Sequence, residues 1–149
     1  MEKQVIATNR KARHDYFLLD TFEAGLALKG TEIKAIRLGH VSIKEAHVRV
    51  DGRQAWLVDA YIGPYEPASR ENHEPRRNRR LLLHKREIQK MWESVRQKGN
   101  TIIPLQIYLA GGRAKIEIAL ARGKKKYDKR QTMAEQDARR EIERAGKDR

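Results

Sequence analysis

Two runs of alternating apolar residues limit the architectures open to this chain more than anything else in it. Over residues 102–109, Ile103, Leu105, Ile107 and Leu109 alternate with Ile102, Gln106 and Tyr108. Gly111-Gly112 interrupts the run, and Ala114, Ile116, Ile118 and Leu120 answer it, with Lys115, Glu117 and Ala119 between them. A period of two over this length belongs to strands, whose successive side chains point to opposite faces. The pair predicts an antiparallel hairpin with one dry face and one polar face, Lys115 on the polar side.

Other segments join that hairpin. Tyr16 to Leu28 is rich in aromatic and aliphatic residues and reads as a long strand bent at Gly25, since a glycine inside a strand often marks a bulge. Residues 30–39 read as a short helix capped by Thr31, with Glu32 and Arg37 complementing its two ends and Gly39 stopping it. Strict alternation there fits a strand as well. Val48 and Val50 lead to an Asp51-Gly52 turn and a return strand from Gln54 to Ile62, ended by Gly63-Pro64. Residues 66–80 hold two prolines and five arginines and read as a loop without structure of its own, either functional or disordered. Ile88, Met91, Trp92 and Val95 recur at i, i+3, i+4 and i+7, one face of a helix closed by Gly99, with Trp92 in the core. About five antiparallel strands with one strong helix after the first three predict a mainly β protein. The expected form is an OB-fold-like antiparallel β-barrel with flanking α-helices and a C-terminal tail disordered when free.

The boundary between barrel and tail falls at Gly123. The seven residues after it carry five cations, one carboxylate (Asp128) and one ring (Tyr127). Domains are therefore drawn at 1–121 and 122–149. The tail contains Thr132-Met133-Ala134-Glu135, the spacing of a capping box, followed by a thin apolar stripe of Ala134, Ala138 and Ile142. At about a dozen residues such a helix is marginal in water and is expected to form only on a partner.

Charge narrows the function. The formal net charge is +13 and the sequence pI about 10.2, which points to nucleic acid. Residues 122–149 contribute +5 and residues 1–121 contribute +8, so both parts are expected to face phosphate. No long apolar run or basic amphipathic helix supports a membrane partner, and the first residues lack the apolar block of a secretory leader. A cytoplasmic address is expected. Cysteine is absent, and His14, His40, His47, His73 and His84 show no metal-binding spacing. Neither a G-x-S-x-G nor a P-loop pattern occurs. No catalytic residue, metal or cofactor is therefore expected. Nine aromatics against 33 cations favour a structured RNA held through phosphate and shape over a single strand read by stacking.

Four ordered segments carry a resemblance. They are Asn9-Arg10-Lys11-Ala12-Arg13-His14-Asp15-Tyr16-Phe17; the stretch Phe22 to Lys34; Leu81-Leu82-Leu83-His84-Lys85-Arg86-Glu87-Ile88; and Gly123-Lys124-Lys125-Lys126-Tyr127-Asp128-Lys129-Arg130. The chain resembles the small protein B family, the SsrA-binding proteins of bacterial trans-translation. The resemblance implies an OB-type barrel that binds the tRNA-like domain of transfer-messenger RNA and brings it to a stalled ribosome. It implies Asn9, Glu23, Leu82 and Lys115 as RNA-facing positions, with Arg13 and His14 beside them. It also implies Gly123, Lys124, Lys125, Tyr127, Asp128, Lys129 and Arg130 as a ribosome-contacting hinge, Tyr127 by stacking. The tail would then enter the empty mRNA channel beside the small-subunit decoding centre and become helical.

Read without the resemblance, Glu23 is a solvated strand carboxylate, His14 an imidazole satisfied locally, and Leu82 a core residue. The competing function is a basic OB-type ribosomal or translation-factor RNA binder with an ordinary disordered tail. An enzyme acting on RNA stands third.

Overall fold

The computed structural model describes residues 3–124. In chain order the elements are strand β1 (Lys3–Thr8), a one-turn helix α1 (Ala12–Asp15), β2 (Tyr16–Leu26), α2 (Gly30–Arg37) and β3 (Val41–Ser42). There follow β4 (His47–Val50), β5 (Ala55–Val58), β6 (Tyr61–Ile62), a 3-10 helix (Glu66–Glu71), β7 (Arg79–Leu82), α3 (Lys85–Lys98), β8 (Thr101–Ala110) and β9 (Arg113–Gly123). Seven strands form one antiparallel sheet in the order β1-β8-β9-β2-β7-β5-β4, and β3 pairs with β6 in a small separate ladder. The sheet curls until β4 packs against β8, and α3 closes over both. This is the OB-like arrangement expected, with more and shorter strands than the alternation suggested.

The β8–β9 hairpin forms as its pattern requires, turning at Gly111 and Gly112, both at positive φ. Its faces are less simple. The pairing register shifts between Pro104 and Gln106, and an odd residue in a period-two strand exchanges inside for outside. Ile102, Ile107, Ile116, Ile118 and Leu120 therefore face the main core, together with Ile36, Leu57 and Met91. Ile103 and Leu105 instead join Ala12, Ala119 and Ala121 in a second cluster that seats α1. The strand is dry on both faces along this stretch.

Helix α3 buries Ile88 and Met91, receives a carboxylate cap where Glu87 Oε1 accepts from the His84 backbone N–H at 3.0 Å, and ends at Gly99 with φ 66°. Trp92 packs on the core edge against Gly52, where an added Cβ would meet its indole at 3.2 Å.

Four expectations are corrected. The cap of α2 is not Thr31: the cap position lies two residues earlier, at Lys29, and Thr31 Oγ1 lies 2.8 Å from His73 Nδ1. The irregularity in β2 falls between Leu18 and Asp20, not at Gly25. The return strand from Gln54 breaks into β5 and β6, because Asp59 takes φ 61° and turns the chain. The largest difference concerns residues 66–80, which are built into the fold: they hold the 3-10 helix, start β7 and bury both His73 and Arg79.

The reason for that difference is Glu32. Its carboxylate is fully buried, accepts from the Lys29 backbone N–H at 2.8 Å, and pairs with both Arg77 and Arg79. Arg79 Nε lies 2.6 Å from Glu32 Oε2, and its other nitrogens donate to the carbonyls of Ala60 at 2.7 Å and Pro75 at 3.0 Å. Burial by itself would push the Glu32 carboxyl up, but donation from Arg77, the Lys29 backbone and Arg79 outweighs it and holds the group below its usual range.

Removing one partner of a buried pair leaves the other uncompensated, at a cost of about 3–5 kcal/mol. Arg79→Ala is expected to lose stability of that order in urea unfolding at neutral pH, and the exposed neighbour Arg80→Ala within about 0.5 kcal/mol. Because the folded Glu32 carboxyl sits below its ordinary value of 4.5, its contribution is complete above that pH. It is lost as pH falls through the folded value, so the gap between wild type and Arg79→Ala should narrow in acid.

Candidate nucleic-acid interface

Strand register assembles a row of residues that sequence spacing could not. Leu82 on β7 pairs with Gly25 on β2, Gly25 with Lys115 on β9, Lys115 with Tyr108 on β8, and Tyr108 with Val5 on β1. The row crosses five strands on the outer face of the sheet. Alternation in β7 sends Arg79 and Leu81 inward and Arg80 and Leu82 outward, so the outer pair joins the row. Gly25 lets the two strands' side chains meet closely here: a Cβ on it would stand 3.3 Å from that of Leu82.

Glu23 lies two residues before Gly25 and so on the same face. Its Oε1 accepts from Lys115 Nζ at 2.8 Å, and both side chains remain partly exposed. Lys115 first, and the Tyr108 hydroxyl second, hold the Glu23 carboxyl below its usual range. Burial and then Glu23 push the Tyr108 phenol well up, which keeps it a donor. Lys3 Nζ covers the Tyr108 ring at 4.1 Å from its centroid. Beside the row runs a groove of about 490 Å³ lined by Glu23, Arg53, Arg80, Leu82, His84 and Lys85. The surface thus offers a fixed carboxylate acceptor, an apolar step and several cations. It suits base edges, hydroxyls and phosphates together.

Of the residues named from sequence, the fold brings Glu23, Leu82 and Lys115 together. Leu82 corrects its core reading, for it is 47% exposed. Lys115 faces outward as its alternation required. Arg13 and His14 lie elsewhere. They sit on α1 at the far end of β2, about 20 Å from Glu23 by the strand rise of ~3.3 Å per residue. Both are exposed, and His14 Nδ1 lies 3.0 Å from Asp15 Oδ1, so the local partner expected for it exists without burial. Asn9 is half-buried and its side-chain amide donates to the Pro104 carbonyl at 3.1 Å, tying the end of β1 to the bulge in β8. Gly123 ends β9, two residues past the boundary drawn at Ala121, and Lys124 follows it with its backbone N–H bonded to the Asp15 carbonyl. Lys125, Tyr127, Asp128, Lys129 and Arg130, and the helix expected over 132–145, lie outside the described residues.

Residues the sequence reading missed are Lys3, Arg53 and Arg80 at the surface, and Tyr108, buried beneath Lys3, as a support for Glu23. The only local signal was the outward parity of Arg80 beside Leu82. The others enter through pairing between strands far apart in the chain. Among the described residues no group of three or more acidic or histidine side chains could hold a metal ion, and no helix is long and apolar enough to cross a membrane.

An OB-like sheet whose outer face carries this cationic, hydrogen-bonding row defines a nucleic-acid-binding module. The profile of the SmpB protein family matches residues 6–148, and the chain belongs to that family. It is 54% identical over 145 residues to the SsrA-binding protein of Carboxydothermus hydrogenoformans, covering 97% of each chain. With the SsrA-binding protein of a Roseiflexus species it shares 55% over 148 residues, covering 99% of this chain and 94% of the relative. A solved chain described as "tmRNA-SmpB: a journey to the center of the bacterial ribosome" superposes with a TM-score of 0.66 at 47% identity, over 85% of this chain and 92% of that one.

The Glu23–Lys115 contact is directly measurable. In a side-chain NMR titration, Glu23 should ionise below the usual glutamate range in the wild type and move up toward it in Lys115→Ala, because its largest stabilising donor is gone. An unchanged titration would mean that the pair does not form in solution.

Proposed function

We propose that this protein binds SsrA RNA, the transfer-messenger RNA, through its tRNA-like domain and delivers it to stalled ribosomes for rescue and peptide tagging. It acts by binding and not by catalysis, in the cytoplasm. The observation that carries this reading is the row Leu82–Gly25–Lys115 with Glu23 beside it, on a chain that belongs to the SmpB family throughout its length. Glu23 gives a negative acceptor on a positive surface, an arrangement poorly suited to indiscriminate phosphate binding. It suits an RNA whose base edges or 2′-hydroxyls reach one defined point, while Lys115, Arg80 and Lys3 neutralise phosphate around it. Arg13 and His14 extend the contact to α1 at the far end of β2, and Asn9 extends it to the end of β1.

The body over 1–121 and the tail over 122–149 divide the work in this reading. Lys125, Tyr127, Asp128, Lys129 and Arg130 approach ribosomal RNA, Tyr127 by stacking. The stripe of Ala134, Ala138 and Ile142 becomes helical in the empty mRNA channel near the small-subunit decoding centre.

The decisive experiment is the identity of the RNA that co-purifies from cells. A discrete species with a tRNA-like end supports the reading, and bulk ribosomal RNA supports a general ribosomal binder. On that RNA, Lys115→Ala should weaken binding and flatten the slope of log K against log salt by about one unit. Glu23→Ala should weaken binding without flattening the slope, since it removes an acceptor and no cation. Unchanged affinity for Glu23→Ala would return that carboxylate to a solvated role.

For the tail, Ala138→Pro places a residue costing about 3 kcal/mol inside the expected helix. Melting temperature and RNA affinity should stay as in the wild type while tagging on stalled ribosomes falls sharply. Normal tagging would show that the tail need not fold.

A further inference from the structure

The last described residue of the chain is bound to α1. A helix of one turn has carbonyls at its C-terminal end without intrahelical partners. In α1 the Ala12 carbonyl accepts from the Tyr16 N–H. The carbonyls of Asp15 and Arg13 are both met by Lys124: its backbone N–H donates to Asp15 O at 2.9 Å, and its Nζ donates to Arg13 O at 2.9 Å. The same ammonium lies 4.9 Å from the centroid of the Phe17 ring, and the Arg122 guanidinium lies at an equal distance from that ring. The first bond continues the β2–β9 ladder one step past Tyr16–Gly123, and the second is a cation placed on helix-terminal carbonyls, where it is favoured. A lysine just past a glycine in a basic run would otherwise be solvated at no cost. Here it is held at three points on one short segment.

We propose that Lys124 is a positioning residue that caps α1 from the end of β9 and so sets the direction in which the chain leaves the barrel. Arg13 and His14 are on the same turn whose carbonyls Lys124 holds, so the RNA-facing helix and the root of the tail move as one unit. Engagement of RNA at α1 therefore reorients the tail root. This coupling rests on the proposed function, because it takes α1 to be an RNA contact. The cap itself does not.

The chain has no cysteine, so Glu93→Cys on the exposed side of α3 and Gln131→Cys beyond the root admit exactly two nitroxide labels on the full-length protein. Distance distributions by pulsed electron resonance are compared for Lys124, Lys124→Ala and Lys124→Arg, alone and with saturating transcribed tRNA-like RNA. Without RNA, Lys124→Ala should broaden the distribution and Lys124→Arg, which keeps a cationic donor, should restore it. With RNA, the Lys124 protein should show a shifted distribution and Lys124→Ala should lose that shift. An unaltered distribution in RNA-free Lys124→Ala overturns the cap. An equal RNA-induced shift in both proteins overturns the coupling. If the labelled Lys124 protein fails to bind the RNA at all, the proposed function fails, and the RNA-free comparison still decides the cap.

Discussion

The carboxylate of Glu32, held between Arg77 and Arg79 inside the protein, is the interaction on which the rest of the arrangement depends. Two charges removed from water, Glu32 and Arg79, with Arg77 only partly buried beside them, are costly unless every donor and acceptor is matched. Among the described residues no buried side-chain nitrogen or oxygen lacks a partner. Arg79 reaches the carbonyls of Ala60 and Pro75, and Glu32 accepts from the Lys29 backbone, so one cluster joins the start of α2, the turn before β6 and the approach to β7. His73 adds a second tie close by, its Nε2 donating to the Ile62 carbonyl at 2.8 Å. A segment that would otherwise be a mobile basic loop becomes a rigid support.

The consequence for the surface is one of parity. With Arg79 fixed inward, a strand must send Arg80 and Leu82 outward. Pairing of β7 with β2 then sets Leu82 beside Gly25, and pairing of β2 with β9 sets Lys115 on the other side. The interior ion cluster thus determines which residues of β7 reach the outer face of the sheet. Five arginines within residues 66–80 look alike in sequence, yet Arg79 is wholly buried and Arg80 exposed. Net charge alone overstates what is available for phosphate.

The outer face carries its own restraint. Lys115, the cation at the middle of the row, is matched by Glu23, and the pair fixes both side chains in place. An exposed pair of this kind adds little to stability, and its use lies in orientation. Beyond Tyr16 the same β2–β9 ladder ends in α1 and Lys124, so a single pair of strands connects the central row to the point where the chain departs. Register, more than charge, organises the outer face.

What the sequence determined by itself was set by local periodicity. Alternation in 102–120 specified the hairpin and the outward face of Lys115, the spacing of Ile88, Met91, Trp92 and Val95 specified α3, and Gly99 its end. The four ordered motifs were enough to name the family. What only the tertiary structure decided depends on partners far apart in the chain. Glu32 meets Arg79 across 47 positions, which turned a supposed loop into a strand and a buried ion cluster. The bulge at Pro104–Gln106 moved Ile103 and Leu105 into a second core, because one extra residue reverses a period of two. Leu82 reads as core from composition, and only its pairing with Gly25 on the outer face makes it part of the exposed row. A pattern along the chain reports which face of its own element a residue occupies. It cannot report what stands opposite, and that is fixed by sheet register and by which charges find each other in the folded interior.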